Sequence, residues 1–190
     1  MKIKNNVAEV MILVGVFALL FYSSNPVERT DSFRYLSGSL LDPPMYSTII
    51  SILQILFGTL KSVIVFQTLL IGFSIIYFLR TISNIFNLDL IIKIFVAFFL
   101  FIPIIQFYDN ILTEPISYAL SILFVSLSIK LIYNFNNKNL IWSMIFATAL
   151  LLTRNQFIFL YPVILIFFVC IFILNNSNKS IAKLLLSSFI

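Results

Sequence analysis

Residues 62–79 read SVIVFQTLLIGFSIIYFL, an apolar run between Lys61 and Arg80 that contains no charged side chain. A helix rises about 1.5 Å per residue, so a run of this length approaches the roughly 30 Å thickness of a bilayer's hydrocarbon core. Because a helix satisfies its own backbone hydrogen bonds, it is the element expected to cross that medium. The run therefore predicts a transmembrane helix.

The rest of the chain shares this apolar character. Of the 190 residues, 61% are hydrophobic and 10% are charged, and the mean hydropathy is +1.10. Soluble domains average roughly 45–50% apolar residues, so the composition excludes an ordinary soluble domain. Further spans are predicted at residues 7–22, 90–107, 115–133, 140–153, 156–174 and 181–190. We expect an all-α polytopic membrane protein with about six or seven transmembrane helices in one domain, residues 1–190.

A long segment, residues 23–61, separates the first two predicted spans. Its first half is the most polar part of the chain and carries Glu28, Arg29, Asp31, Arg34 and Asp42. Residues 46–57 are mostly apolar and end at Gly58, which predicts a helix that lies in the membrane interface. We therefore expect 23–61 to be an external loop with interfacial helices.

The distribution of basic residues predicts the orientation. With the N-terminus in the cytoplasm, eight of the 12 Lys and Arg residues fall on the inner side, as the positive-inside rule requires. These eight are Lys2, Lys4, Arg80, Lys93, Lys130, Lys138, Lys179 and Lys183. The external side then receives five of the seven acidic residues, Glu28, Asp31, Asp42, Asp109 and Glu114.

Several kinds of chemistry are excluded by what the sequence lacks. There is no histidine, which removes the usual general base, the usual zinc ligand and every Ser-His or Cys-His nucleophile. The one cysteine, Cys170, can form no internal disulfide. The net charge of +5 is spread singly over the ends of apolar runs, so no nucleic-acid surface is predicted. Any chemistry must rest on carboxylates, amides, hydroxyls, Arg and Lys.

Three segments are expected to bring polar groups to the external face. They are the first loop, the turn at residues 106–114 and the turn at residues 153–156. Ionisable groups near bilayer depth are costly and are usually paired or functional, so two acidic loops facing Arg154 predict a site. The alternative is that these residues mark membrane boundaries or begin helices, as Asp31 and Glu114 could do. Four tyrosines are predicted to be headgroup-level anchors: Tyr35, Tyr46, Tyr108 and Tyr161.

The order of features resembles the N-terminal membrane module of the GT-C glycosyltransferases, which use sugars carried on polyprenyl phosphate. This superfamily includes protein O-mannosyltransferases, the lipid A aminoarabinose transferase and oligosaccharyltransferase catalytic subunits. The features that carry the resemblance are, in order, Asp31-Ser32-Phe33-Arg34-Tyr35, Pro43-Pro44-Met45-Tyr46, a stretch closing at Leu56-Phe57-Gly58, Gln67, Pro103, Asn110-Ile111-Leu112-Thr113-Glu114-Pro115, Leu151-Leu152-Thr153-Arg154-Asn155 and Tyr161-Pro162. It covers nearly the whole chain.

The resemblance implies a role for each candidate residue. Asp31 occupies the place of the catalytic carboxylate in the first external loop, where many members have a second acidic residue and this chain has Ser32. Asp109 and Glu114 match the acidic motif of the second external loop, and Arg154 matches a basic residue that holds the lipid phosphate. Arg34, Asp109, Glu114 and Arg154 are thus expected to bind substrate or phosphate. No cofactor is predicted, although Asp109 and Glu114 could together hold a divalent metal.

The expected function is transfer of a sugar from a polyprenyl-phosphate donor to an acceptor at the external face of a bacterial or archaeal plasma membrane, within the cell envelope. A carboxylate would deprotonate the acceptor hydroxyl and a cation would hold the departing phosphate. The alternative is a non-enzymatic transporter, flippase or assembly subunit for lipid-linked sugars, which would place polar groups near the bilayer midplane. Family members are usually longer, so a minimal enzyme, a truncated product and a subunit that needs a partner all stay open.

Overall fold

A computed structural model describes residues 7–22, 26–28, 30–38, 43–107 and 109–176 of the protein. Over these residues the protein is all-helical and contains no β-strand, as the sequence predicts. The elements are α1 (Val7–Tyr22), α2 (Thr30–Leu36), α3 (Pro44–Phe57), α4 (Lys61–Phe86), α5 (Leu90–Phe107), α6 (Thr113–Tyr133), α7 (Asn137–Leu151), a 3₁₀ segment (Asn155–Leu160) and α8 (Tyr161–Asn176).

Most helices follow the predicted apolar runs. Helices α1 and α5 have the predicted bounds, and α6 begins two residues before the run 115–133. The run 140–153 corresponds to α7, which starts and ends somewhat earlier, and the run 156–174 is divided between the 3₁₀ segment and α8. The predicted run 181–190 lies outside the residues that the structure describes.

Helix α4 is longer than the predicted span 62–79 and does not end at Arg80. It continues to Phe86 and ends where Asn87 adopts the left-handed conformation, with φ 50° and ψ 46°. The Asn87 N–H then donates to the Ser83 carbonyl at 3.1 Å, a common way to end a helix. No glycine or proline lies between Arg80 and Asn87 to stop the helix sooner.

Three helical stretches are long and apolar enough to cross a membrane: Lys61–Phe86, Thr113–Tyr133 and Gln156–Ile173. The last of these has only 11% of its residues buried inside the protein. Large apolar side chains are exposed elsewhere too, including Phe21 at 95% and Ile55 at 84%. Soluble monomers rarely expose contiguous apolar surface on this scale, so these features indicate a membrane protein.

The centre of the fold is the pair α4 and α6, which make the most extensive contact in the structure. They run parallel, because Gln67 near the start of α4 contacts Leu112 at the start of α6, while Tyr77 farther along α4 contacts Lys130. Helix α1 packs antiparallel on α4 and α7 packs antiparallel on α6. The buried apolar side chains form two clusters, one among α1, α4, α5 and α6 and one among α3, α4, α6 and α7.

This arrangement gives the bundle two polar ends. The Glu114 end contains the starts of α4 and α6 and the end of α7, with α2 and α3 packed over it. The Glu9 end contains the starts of α1 and α5 and the last turns of α4. Each end holds an ion pair and a pocket, described below.

Helices α1 and α4 approach closely at Gly72. A Cβ atom at this position would lie 2.6 Å from Cγ2 of Val16, closer than real Cβ contacts allow. Val16 is buried and β-branched, so its side chain has little rotational freedom to move away. The glycine is therefore required by the packing of the two helices.

We expect Gly72→Ala to lower the free energy of unfolding by about 1–3 kcal/mol, because the methyl group overpacks the helix contact. The matched control is Gly15→Ala, whose Cβ would meet Cζ of Phe101 at 2.8 Å, the far end of a longer side chain. Reversible unfolding in mixed micelles measures both changes. Adding Val16→Ala to Gly72→Ala should recover much of the loss. Equal stability of the two alanine variants would contradict the close contact at Gly72.

Candidate functional site

The segment between α1 and α2 is bonded to the turn between α5 and α6 at the Glu114 end. The Val27 N–H donates to the Asp109 carbonyl at 2.8 Å, and the Ile111 N–H donates to the Val27 carbonyl at 3.2 Å. On α2, the buried Ser32 Oγ donates to the Ile111 carbonyl at 2.7 Å. These three bonds fix α2 beside the segment that leads into α6.

Glu114 and Arg154 form an ion pair at this end, with Arg154 Nη1 3.0 Å from Glu114 Oε1. Glu114 lies in the first turn of α6, where the helix dipole favours a carboxylate. Pro115 follows it in the first turn of α6. The N–H groups of a first turn have no partner within the helix, so the missing N–H of proline costs no hydrogen bond there. The two side chains are 31% and 25% exposed, so the pair is partly shielded from water and still accessible to a ligand.

Hydroxyl groups hold the end of α7 against α6 and thereby position Arg154. The buried Ser117 Oγ lies 2.8 Å from the Thr113 carbonyl and 3.1 Å from Thr153 Oγ1. Thr153 Oγ1 in turn donates to the Leu150 carbonyl at 2.6 Å, near the last turn of α7. Arg154 is the next residue along an extended stretch of backbone, so these contacts direct it towards Glu114.

A pocket of about 260 Å³ lies beside the ion pair, between α4, α5, α6 and the 3₁₀ segment. Its polar lining comes from Glu114, Arg154 and side chains of α6, and its apolar lining comes from the surrounding elements. The lining residues are Ile71, Pro103, Ile104, Glu114, Pro115, Ser117, Tyr118, Ser121, Arg154 and Phe157. A pocket with charges at one side and apolar walls elsewhere fits a ligand that has a charged head and an apolar tail.

Pro103 shapes the α5 wall of this pocket. A proline inside a helix removes a backbone donor and disturbs the carbonyls of the preceding turn. Tyr118 of α6 donates its hydroxyl to the carbonyl of Leu100, which lies on α5 one turn before Pro103, at 2.8 Å. This bond joins α5 to α6 directly across the pocket lining.

Behind the ion pair lies a buried polar group that sequence reasoning missed. Gln67 Nε2 donates to Tyr46 Oη at 2.7 Å and to the Leu112 carbonyl at 3.1 Å. Both side chains are fully buried, and the ring of Tyr35 packs edge-on against Tyr46 at 5.1 Å. Burial raises the pKa of Tyr46 well above its usual range, and Glu114 contributes in the same direction, so the hydroxyl stays protonated. Within the described residues, Gln67 Oε1 has no hydrogen-bond partner.

The burial of Tyr46 corrects the sequence prediction that it anchors at headgroup level. Tyr46 points into the cluster of α3, α4 and α6, where the amide of Gln67 satisfies its hydroxyl. Tyr161 is exposed at the start of α8, and its anchoring stays a prediction. Tyr108 lies outside the described residues.

The other predicted site residues occupy the same end with fewer described contacts. Asp31 is in the first turn of α2, but its side chain lies outside the part of the chain that the structure describes. Arg34 is exposed in the last turn of α2, and its carbonyl accepts from Ser37 Oγ. Asp109 is half-buried and contributes the carbonyl that binds Val27. The structure thus joins Glu114 to Arg154 directly, and it attaches α2 to the segment before α6 through the Ser32 side chain and the backbone of Val27.

Metal coordination has no support in the described part of the chain. Within it, no group of three or more His, Cys, Asp or Glu side chains could hold an ion. The hypothesis that Asp109 and Glu114 share a divalent metal therefore rests on two carboxylates, fewer than such sites usually supply.

The Glu114 end combines a carboxylate, a guanidinium and hydroxyls with an apolar pocket, at the place where the first loop is bonded to the bundle. Such a set can bind an anionic headgroup, orient a hydroxyl and accept a proton. Comparison with known proteins assigns no family to this chain, because no protein-family model, no curated protein and no solved structure matches it.

Proposed function

We propose that the protein is a membrane glycosyltransferase of the GT-C type, which moves a sugar from a polyprenyl-phosphate donor to an acceptor at the external face. The observation that carries this proposal is the Glu114–Arg154 pair beside a pocket with apolar walls. A lipid phosphate presents the two chemical features that such a site can bind together, a compact anion and an apolar chain.

The proposed topology has six or seven spans, an N-terminus in the cytoplasm and the Glu114 end outside. It is supported by the alternating direction of α1 and α4, and of α6 and α7, and by the presence of Arg80 and Lys93 at the opposite end. Helices α1 and α7 reach about 24 Å and 22 Å, and a locally thinned bilayer can accommodate such lengths. Helix α3 would lie in the external interface with its exposed side chains Ile55, Leu56 and Phe57 in the lipid.

In this proposal Arg154 holds the phosphate of the donor. Arginine offers a permanent charge and a fork of donors that matches phosphate oxygens. The apolar walls of the pocket, such as Ile71, Ile104 and Phe157, would contact the first units of the lipid tail. When phosphate binds Arg154, it replaces part of the contact with Glu114, which then becomes available to the sugar.

The acceptor would approach from the side of α2. Its oxygen forms a bond to the sugar carbon that carries the phosphate, the bond from that carbon to the phosphate oxygen breaks, and the acceptor proton passes to Asp31. The negative charge that develops on the departing lipid phosphate is stabilised by Arg154. Arg34 and Asp109 are proposed to bind the substrates from the same end. The donor, membrane lipids and, if the site needs completion, a partner subunit are the proposed partners.

A deletion strain tests the proposal most directly. Mass spectrometry of its glycolipids and surface glycans should show the loss of one sugar, the accumulation of a lipid-linked donor and the return of both to normal on complementation. If no glycan changes, the transferase proposal is wrong. If several glycans fall together and their lipid donors accumulate on the cytoplasmic side, the protein is instead a transporter, flippase or assembly subunit.

A further inference from the structure

A second pocket lies at the Glu9 end, far from the Glu114–Arg154 site. Its volume is about 300 Å³, and α1, α4 and α5 all contribute to it. The lining residues are Ala8, Glu9, Leu79, Arg80, Ser83, Asn84 and Lys93. Unlike the pocket at the Glu114 end, most of its named side chains are polar or charged.

The charges of this pocket sum to +1. Glu9 binds Arg80 through two parallel bonds, and the distance from Arg80 Nε to Glu9 Oε1 is 2.9 Å. This uses two of the five N–H donors of the guanidinium. The Arg80 side chain is 64% exposed, so its other donors can reach a ligand, while Lys93 is buried to 8% exposure and adds a second cation.

Apolar surface borders the pocket on two sides. Beside Glu9, Val10 and Met11 of α1 are exposed, and beside Lys93, Ile91, Ile92 and Phe95 of α5 are exposed. An anionic group in the pocket could therefore continue into apolar chains that lie along α1 and α5. This combination of a basic pocket and adjoining lipid-facing helices is the form that anionic headgroup sites take in membrane proteins.

We propose that this pocket binds the phosphate group of an anionic phospholipid, at the membrane face opposite the Glu114–Arg154 site. Arg80 and Lys93 supply the positive charge, and Ser83 and Asn84 supply neutral donors. Glu9 holds Arg80 in place and lowers the net positive charge of the pocket. A zwitterionic choline headgroup brings its own cation into a pocket that is already positive, so it should bind less well. The proposal is independent of the sugar-transfer function.

Native mass spectrometry of the purified protein tests the proposal. We expect phosphatidylglycerol to be retained at least fivefold more than phosphatidylcholine when the protein is released from mixed micelles. Lys93→Gln should reduce this preference about fivefold, the effect expected for the loss of one basic group. The matched control is Lys138→Gln, which removes an exposed charge outside the pocket and should leave the preference unchanged.

A second variant keeps the test decisive if Lys93→Gln is unstable. Asn84 is exposed, so Asn84→Asp adds a carboxylate to the pocket without disturbing the core, and it should also reduce retention of phosphatidylglycerol. Competition with inorganic phosphate separates a soluble ligand from a lipid, because a soluble phosphate site would be filled at millimolar concentration and would release the lipid. Equal retention of the two lipids, or no effect of Asn84→Asp, would overturn the proposal.

Discussion

Arg154→Gln is expected to reduce the rate of sugar transfer by about 10²–10³-fold, the usual effect of removing a group that stabilises charge in the transition state. The departing lipid phosphate needs a cation, and Arg154 is the arginine that lines the pocket at the Glu114 end. Glutamine keeps hydrogen bonding but carries no charge. The rate can be measured as the loss of lipid-linked sugar extracted from the deletion strain. Arg154→Lys should retain part of the activity, because lysine keeps the positive charge. It should not retain all of it, because lysine lacks the planar pair of N–H donors that binds two phosphate oxygens at once.

Arg154 also holds Glu114, so a structural role must be separated from phosphate binding. The double variant Glu114→Arg with Arg154→Glu reverses the ion pair and preserves its attraction. If the pair only stabilises the junction of α6 and α7, the reversed pair should restore both the free energy of unfolding and the activity. If Arg154 binds phosphate, the reversed pair should restore the free energy of unfolding but not the activity, because the positive charge then lies at position 114 and not at position 154.

The second large effect is expected for Asp31→Asn, which should lower activity by about 10²–10⁴-fold, the contribution typical of a general base. Asparagine has the size and hydrogen-bonding capacity of aspartate but cannot take the acceptor's proton. Complementation of the deletion strain at matched expression, read by glycan mass spectrometry, measures the loss. Glu28→Gln is the matched control, because Glu28 is an exposed acidic residue of the same loop. If Asp31→Asn restores the full glycan profile, Asp31 is not the base.

The helices could be predicted well from sequence because length and hydropathy decide where they form in a membrane. The exception at α4 shows the limit of that information. Arg80 has the appearance of a boundary residue, yet the helix passes through it and ends only at Asn87. Arg80 instead pairs with Glu9 on α1. The two residues are 71 positions apart, and no local pattern predicts such a pair.

The sequence predicts one part of the candidate site, the pair Glu114 and Arg154, and misses another part, the buried Tyr46. Charged residues are scarce in this chain, so Glu114 and Arg154 were conspicuous, and the structure places them 3.0 Å apart. Tyr46 was not conspicuous, because a tyrosine in an apolar stretch equally suits a membrane interface or a core. Its burial depends on Gln67 of α4, whose side-chain amide donates a hydrogen bond to the Tyr46 hydroxyl. Gln67 interrupts an apolar run, and this was the one signal in the sequence that a buried partner existed.

The bond from Ser32 to the Ile111 carbonyl has a consequence for how the protein is made. It joins residues 79 positions apart. Ribosomes add roughly 5–20 residues per second, so α2 is synthesised about 4–16 s before its attachment point exists. During that interval α3, α4 and α5 are synthesised, while the carbonyl that Ser32 of α2 binds does not yet exist. The Glu114 end of the bundle is consequently completed late in biosynthesis, after α5 has been synthesised.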